Sequence, residues 1–341
     1  MPDVIAIGSA TRDNFLKADY KIIDWPETPL KKAIVLPFGE KVGVDEVYFT
    51  IGGNAANASV TFSRQGFKTA CVAKIGDDLP GKDFLARLKR ERVNTKLISE
   101  SKDGPTAYSA LLLKNGERTI LSHHGASDTF SLEDVNLKKL RSRWWYLSLS
   151  GESDSMYLDL LRFAKKNSIK VAFNPSGHHI KHKRQEVLKS LKDLAILVLN
   201  AGEAAELIGI SFEKEKEVFK KLDEMTPGII AVTDGPRGVT VSDGENLYKA
   251  GIFPEKQLVD RTGAGDAFGS GFVAGLLRCQ LRTKNLEPRT DDIKYAIRLA
   301  SANATSVVEH IGATEGTLTR EQFEQDPRWQ EFKIEVKSLD E

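Results

Sequence analysis

The sequence predicts an α/β protein: a doubly wound, mostly parallel sheet flanked by helices, with a small β-sheet lid. Three observations lead there. Between Trp145 and Thr233 short apolar runs alternate with amphipathic helical segments, and that alternation implies parallel strands with helices on both faces. Two β-rich stretches, roughly 14–50 and 105–124, stand outside the alternation and are read together as the lid. No internal repeat, low-complexity tract or interdomain linker divides the 341 residues, so 1–341 is read as one domain with the lid segments inserted.

In chain order, Val4–Ile7 is a short apolar strand closed by Gly8. Strand-like pieces follow at Tyr20–Ile23, Ala33–Leu36 and Glu46–Ile51, the last alternating and rich in β-branched and aromatic residues. A helix is expected over Asn54–Gln65 behind Gly52-Gly53, a strand over Lys68–Ile75, and an amphipathic helix over Pro80–Arg92 with proline near its start. Tyr108–Lys114 and Arg118–His123 form a hairpin around Asn115-Gly116. The alternating part places strands at Trp145–Leu149, Lys170–Phe173, Ala195–Leu199 and Ile229–Thr233. Its helices are expected at Asp154–Asn167, Lys183–Leu191, Gly202–Ile208 and Glu213–Met225. A hairpin around Asp243-Gly244 and two helices, Gly265 to about Arg278 and Asp291 to about His310, complete the reading. The tail from Arg320 is polar and charged.

A formal net charge of +1 gives no general attraction to nucleic acid or anionic membrane. The longest apolar stretches, such as Ala195–Leu199, are too short to span a bilayer, and the N-terminus reads as a strand and not as a leader peptide. Cys71 and Cys279 fit no metal spacing and read as small buried residues in a reducing compartment. A cytoplasmic protein is expected.

The most informative stretch runs from Asp260 through Arg261, Thr262, Gly263, Ala264, Gly265 and Asp266 to Gly271. Small residues dominate where a helix starts. Such a terminus exposes backbone N–H groups and a partial positive charge, and glycine and alanine let an anion come close. Asp266, in the first turn, can accept a hydroxyl proton while the amides hold phosphoryl oxygens. Read locally, the same string is also a tight turn with a well-placed acidic residue.

This segment resembles the C-terminal signature of the ribokinase-like (PfkB) family of carbohydrate and nucleoside kinases, Asp-Thr-x-Gly-Ala-Gly-Asp, and departs from it at Arg261, where the family has Thr, Ser or Pro. The resemblance implies a ribokinase-like fold, Asp266 as catalytic base, and Gly263, Ala264 and Gly265 as anion-hole amides. It extends to Gly52-Gly53-Asn54-Ala55-Ala56-Asn57, where it implies acceptor-binding roles for Gly53, Asn54 and Asn57, and to Lys74–Asp78 and Gly81. Read locally, Asn54 also fits a helix cap. Asp13, after the first strand, matches an Asp that grips substrate hydroxyls, with a solvated loop position as the other reading. Asn200 and Glu203 match the Asn-x-x-Glu motif that organises magnesium and phosphate, Glu203 acting through water; a plain strand–helix junction is the alternative. Thr233, Asp234, Gly235 and Gly238 match the nucleotide loop, with an ordinary β-turn as the other reading. Asn303 resembles the wall of the adenine site, with Ser301 as an alternative position. Asp260 and Thr262 match positions that bind potassium in some members.

The implied activity is ATP-dependent phosphorylation of a primary hydroxyl on a small sugar of ribose or fructose type, with Mg²⁺ and, as in some members, K⁺. A nucleoside of adenosine type is the alternative acceptor, and a non-catalytic regulatory relative that binds sugar or nucleotide the second alternative. A phosphorylated acceptor calls for clustered Arg or Lys near the lid; Arg12, Arg118 and His123–His124 are the candidates. A homodimer through the lid is expected, because an open sheet leaves edges and a face to cover. A P-loop kinase is excluded by the absence of Gly-x-x-x-x-Gly-Lys-Ser/Thr, and no dinucleotide fingerprint follows the first strand.

Overall fold

A computed structural model describes residues 1–28, 30–283 and 288–339. Strand β1 (Val4–Gly8) opens the main sheet and β2 (Thr11–Lys17) the small one. A separate ribbon of β3 (Lys21–Asp24) and β4 (Lys32–Val35) precedes β5 (Glu46–Gly52). Then come α1 (Asn54–Arg64), β6 (Thr69–Val72), β7 (Lys74–Gly76), α2 (Leu79–Arg90), β8 (Ser99–Ser101) and the hairpin β9 (Ala107–Lys114) and β10 (Glu117–His123). The alternating half runs β11 (Trp144–Ser148), α3 (Tyr157–Lys166), β12 (Lys170–Phe173), α4 (Gly177–Ser190), β13 (Ile196–Asn200), α5 (Ala201–Ile208), α6 (Glu215–Asp223) and β14 (Ile229–Thr233). A meander of β15 (Val239–Ser242) and β16 (Asn246–Ala250) leads to α7 (Ala264–Thr283), α8 (Thr290–Val308), α9 (Arg320–Gln325) and β17 (Ile334–Ser338).

The main sheet has the order β17-β16-β15-β14-β13-β12-β11-β1-β6. It is parallel from β14 to β6 and antiparallel from β14 to β17. Side-chain alternation splits its residues between two cores. Val4, Ala6, Ile196 and Val198 join one core with residues of α7 and α8. Ile5, Ile7, Leu197 and Leu199 join the other with residues of α3 to α6. Both faces are therefore covered, as a doubly wound sheet requires. The small sheet, β10-β9-β2-β5, draws strands from both β-rich stretches.

Four expectations shift. The strand expected over Lys68–Ile75 divides at Ala73: β6 edges the main sheet, while β7 pairs with β8, the chain turned out by the Ser99 N–H bonding to the Ala73 carbonyl at 3.0 Å. The helix expected from Lys183 begins at Gly177, capped by Ser176, and Lys183 (φ −127°) marks a kink inside it. Residues 151–156 form a 3₁₀ turn, so the α-helix expected from Asp154 starts at Tyr157. The tail supplies α9 and the edge strand β17, whose alternating Ile-Glu-Val-Lys pattern puts charge on the open edge.

Candidate active site

Parallel strands deliver their C-terminal ends to one rim of the sheet, where ligands are expected in such folds. Gly8, Ser148 and Asn200 lie there, and α7 starts opposite them. Two cavities open on this rim and meet at the start of α7. One, a cleft of about 590 Å³, lies between the small sheet and that helix; Asp13, Gly53, Asn54, Asn57, Thr262, Gly263 and Asp266 line it. The other, about 250 Å³, lies between α7, α8 and the loops around β15 and β16; Thr233, Gly235, Gly238, Arg261, Ala264 and Gly265 line it.

At the junction, Asn57 Nδ2 donates to Asp266 Oδ2 at 2.8 Å. Burial pushes the Asp266 carboxyl above its ordinary range, and the Asn57 bond pulls it partly back. Asn57 Oδ1 is buried beside them without a hydrogen-bond partner. Asn303 buttresses the helix start from behind: its Nδ2 donates to Ala267 O at 2.8 Å, and its Oδ1 accepts from Leu318 N at 2.9 Å.

Asp13 is a strand residue of β2 and not a loop residue. It is buried, and its carboxylate lies against Gly52, where a Cβ would overlap it. Burial raises its pKa to about 6, the Ser109 hydroxyl lowers it, and the charges of Asp260 and Asp266 add to the rise. Gly53, at φ 92°, caps α1, so Asn54 is the first helical residue and not its cap. The Asn54 amide instead donates to Ser148 Oγ at 2.8 Å, tying α1 to the end of β11.

Asn200 and Glu203 form a reciprocal capping box at the start of α5, with Asn200 N donating to Glu203 Oε2 at 2.8 Å and Glu203 N to Asn200 Oδ1 at 2.9 Å. Burial raises the Glu203 pKa, with a smaller push from the charge of Asp266. One carboxylate oxygen is thus taken by the cap and one is left, a donor set suited to holding a magnesium ion through its water.

Five expected positions, Asn200 and Glu203 among them, line neither cavity. Asp234 borders a neighbouring groove, its carboxylate gripped by Arg237 Nε at 2.5 Å and Nη2 at 2.7 Å. Asn303 is fully buried, its amide spent as above; Ser301, two residues earlier, lines the smaller cavity in its stead. Asp260 is buried too. It accepts from Thr262 N and Oγ1 at 3.0 and 2.7 Å and from Gly312 N at 3.2 Å, stitching two loops together. Residues that sequence reasoning missed include Ser148, Glu152 and His178. Ser148 ends an apolar strand that looked purely structural, and the other two follow β11 and β12 at the rim, the only signal being that position.

Residues 12–320 match the family described as pfkB family carbohydrate kinase. A protein of Archaeoglobus fulgidus described as an uncharacterized sugar kinase is 28% identical over 257 residues, 74% of this chain and 96% of its own. An ATP-dependent 6-phosphofructokinase of Thermoanaerobacterium thermosaccharolyticum is 26% identical over 281 residues, 78% of this chain and 84% of its own. The fold matches that of Arabidopsis thaliana ribokinase complexed with ribose and ATP, at a TM-score of 0.74 and 21% identity, covering 94% of this chain and 96% of the other.

Proposed function

Because the chain belongs to the pfkB family of carbohydrate kinases, we propose that it transfers the γ-phosphoryl group of ATP to a primary hydroxyl of a small sugar of ribose or fructose type. The observation that carries this reading is the Asn57–Asp266 pair at the junction of the two cavities. The acceptor occupies the cleft under the small sheet, which acts as its lid, and the nucleotide occupies the smaller cavity. Asp266, with its pKa raised by burial, takes the hydroxyl proton. The freed oxygen attacks the γ-phosphorus in line, and the bond to the β,γ-bridging oxygen breaks to release ADP. Amides of Gly263, Ala264 and Gly265 offset the charge gathering on the phosphoryl oxygens. Glu203 would hold magnesium through its water, and the ion, when bound, would supply charge neutralisation on the phosphates. On the acceptor side, Asn57 Oδ1 is an unused acceptor for a sugar hydroxyl, and Asp13 offers another.

A nucleoside acceptor is the second reading. One observation favours it: Leu111 and Ile120, a cross-strand pair, face the cleft beyond the polar row of Asp13, Ser109 and Ser122, giving an apolar end that a base would cover. A homodimer through the lid is also proposed, because Val47, Phe49, Tyr108 and Leu121 are exposed on the sheet face away from the cleft; light scattering of the purified protein would read it directly. The decisive experiment incubates wild type and Asp266→Asn with ATP and Mg²⁺ against ribose, fructose and adenosine. Acceptor-dependent ADP formation by the wild type alone is expected. Equal turnover by the variant would remove Asp266 as base, and turnover on none would favour a regulatory, non-catalytic protein.

A further inference from the structure

On the wall of the cleft that faces the ends of β11 and β12, a histidine is held by a buried carboxylate that the proposed chemistry does not use. His178, in the first turn of α4, directs its Nδ1 to Asp154 Oδ2 at 3.0 Å. Asp154 sits in the 3₁₀ turn after β11 and is 3% exposed, while the His178 side chain is 51% exposed and lines the cleft. The other Asp154 oxygen lies 3.0 Å from Nδ1 of the fully buried His179. His182 packs against the His178 ring at 4.3 Å between centroids. The imidazole is thus fixed on two sides, by its carboxylate and by its neighbour one turn on.

We infer that His178, positioned by Asp154, forms with Glu152 and Asp128 a subsite that accepts hydrogen bonds from hydroxyls of the acceptor remote from Asp266, and so selects an uncharged polyol over a phosphorylated one. This rests on the kinase reading above. In the neutral imidazole, with Nδ1–H given to Asp154, Nε2 carries a lone pair and can only accept. Carboxylates of Glu152 and Asp128, which border the same cleft, also only accept. Asp128 lies beside Gly151, its Oδ1 3.5 Å from where a Cβ there would stand, so these groups share one corner. A hydroxyl satisfies such a wall by donating to it. A phosphate monoester, largely a dianion at neutral pH, has almost no hydrogen to give and is repelled by the carboxylates.

The cations that a phosphorylated acceptor would need are elsewhere. Among the described residues that line the cleft there is no lysine or arginine, while Asp13 and Asp266 add two further carboxyl groups. Arg12 is turned to Asp83 on α2, and Arg118 does not border the cleft. Of the four cationic candidates near the lid, only His124 does.

The test measures ATP-dependent phosphorylation of ribose, fructose, adenosine and fructose 6-phosphate by the wild type, His178→Ala, His178→Gln and Asp154→Asn. The wild type is expected to use at least one neutral acceptor with a kcat/KM about 100-fold or more above that for fructose 6-phosphate, the scale of a like-charge clash. His178→Ala should raise KM for that acceptor about tenfold, as for one lost hydrogen bond, with kcat and the KM for ATP within about twofold of wild type. His178→Gln, whose side-chain oxygen can replace Nε2 as acceptor, should recover much of the loss. Asp154→Asn, which weakens the hold on the ring, should raise the acceptor KM in the same direction as His178→Ala. Preference for fructose 6-phosphate, an unchanged acceptor KM in His178→Ala, or a fall confined to kcat would each overturn the inference and leave the kinase reading standing. Turnover of none of the four acceptors would overturn the kinase reading and this inference with it.

Discussion

Replacing Asp13 by Asn should make the folded protein more stable while impairing its function. The carboxyl is buried, 6% exposed, and burial lifts its pKa from 3.8 to about 6. At about 1.4 kcal/mol per pKa unit, keeping this group ionised at neutral pH costs the fold about 3 kcal/mol. The sign follows from proton binding. A carboxyl whose folded pKa exceeds its unfolded value holds its proton more tightly when folded, so its cost is full above about pH 7 and fades as pH falls through 6 toward roughly 4. Asparagine removes the charge but weakens the bond from Ser109, a loss of about 1 kcal/mol. The net gain near pH 7.5 is about 2 kcal/mol. For 341 residues the unfolding entropy is about 0.7 kcal/mol per kelvin, so Tm should rise by about 3 °C. Thermal melts of both proteins by circular dichroism, near pH 7.5 and near pH 5, read this directly, and the gain should shrink to less than about 1 °C at the lower pH. Acceptor kcat/KM should fall about 100-fold at the same time. A destabilised Asp13→Asn protein at pH 7.5, or an equal Tm gain at both pH values, would refute the argument.

Three further outcomes are expected. Asp266→Asn should keep the wild-type melting transition and lose roughly 10²–10⁴ in turnover; the acid limb of the wild-type pH–rate profile should also sit above the ordinary carboxylate range, because burial raises that pKa, and steady-state assays across pH read both. Gly263→Ala should lower Tm and turnover together: the residue has φ 78°, and its new Cβ would meet that of Ala313 at 2.3 Å, displacing the anion loop at a cost of about 1–3 kcal/mol. Asn303→Ala should destabilise by about 2–4 kcal/mol in denaturant titration while the KM for ATP stays unchanged, since its amide holds Ala267 and Leu318 and not a cavity wall.

Strands and helices with strong periodicity were legible: β12 and β14 fall where the pattern puts them, and the Asn115-Gly116 hairpin forms as written. The boundaries that moved depend on tertiary contacts. Nothing local to Lys68–Ile75 says that the chain leaves one sheet at Ala73 to pair with β8. The small residues of α7 were legible as a cluster at a helix start, and two of the helix's glycines serve packing: a Cβ on Gly275 would stand 2.5 Å from Ala296 Cα, and one on Gly271 3.0 Å from Ala300 Cα, so α7 and α8 touch almost backbone to backbone. Asn54 and Asn57 were legible as polar residues in a glycine-led helix; their partners, Ser148 and Asp266, are separated from them by 94 and 209 residues and could come only from the fold. His178 and Asp154 were silent for the same reason, since a histidine near a helix start has many ordinary uses.

Arg261, the departure from the signature, acquires a structural context from the small sheet. Its guanidinium Nε lies 3.4 Å from Glu117 Oε1 at the start of β10, and both side chains are about half exposed. Such a pair contributes at most about 1 kcal/mol, so its consequence is geometric. Gly116, at the hairpin tip, stands close to Leu258, the distance from a built Cβ to the Leu258 carbonyl being 3.2 Å. Leu258 and Arg261 both line the smaller cavity. The same hairpin carries Ser109, Leu111, Ile120 and Ser122 into the larger cleft. One two-stranded element therefore forms the roof of one cavity and braces the wall of the other. A threonine or proline at position 261 could not reach Glu117 with a charge. In this chain the residue that breaks the signature ties the small sheet to the segment running into Gly263, so displacement of β10 would alter both cavities together.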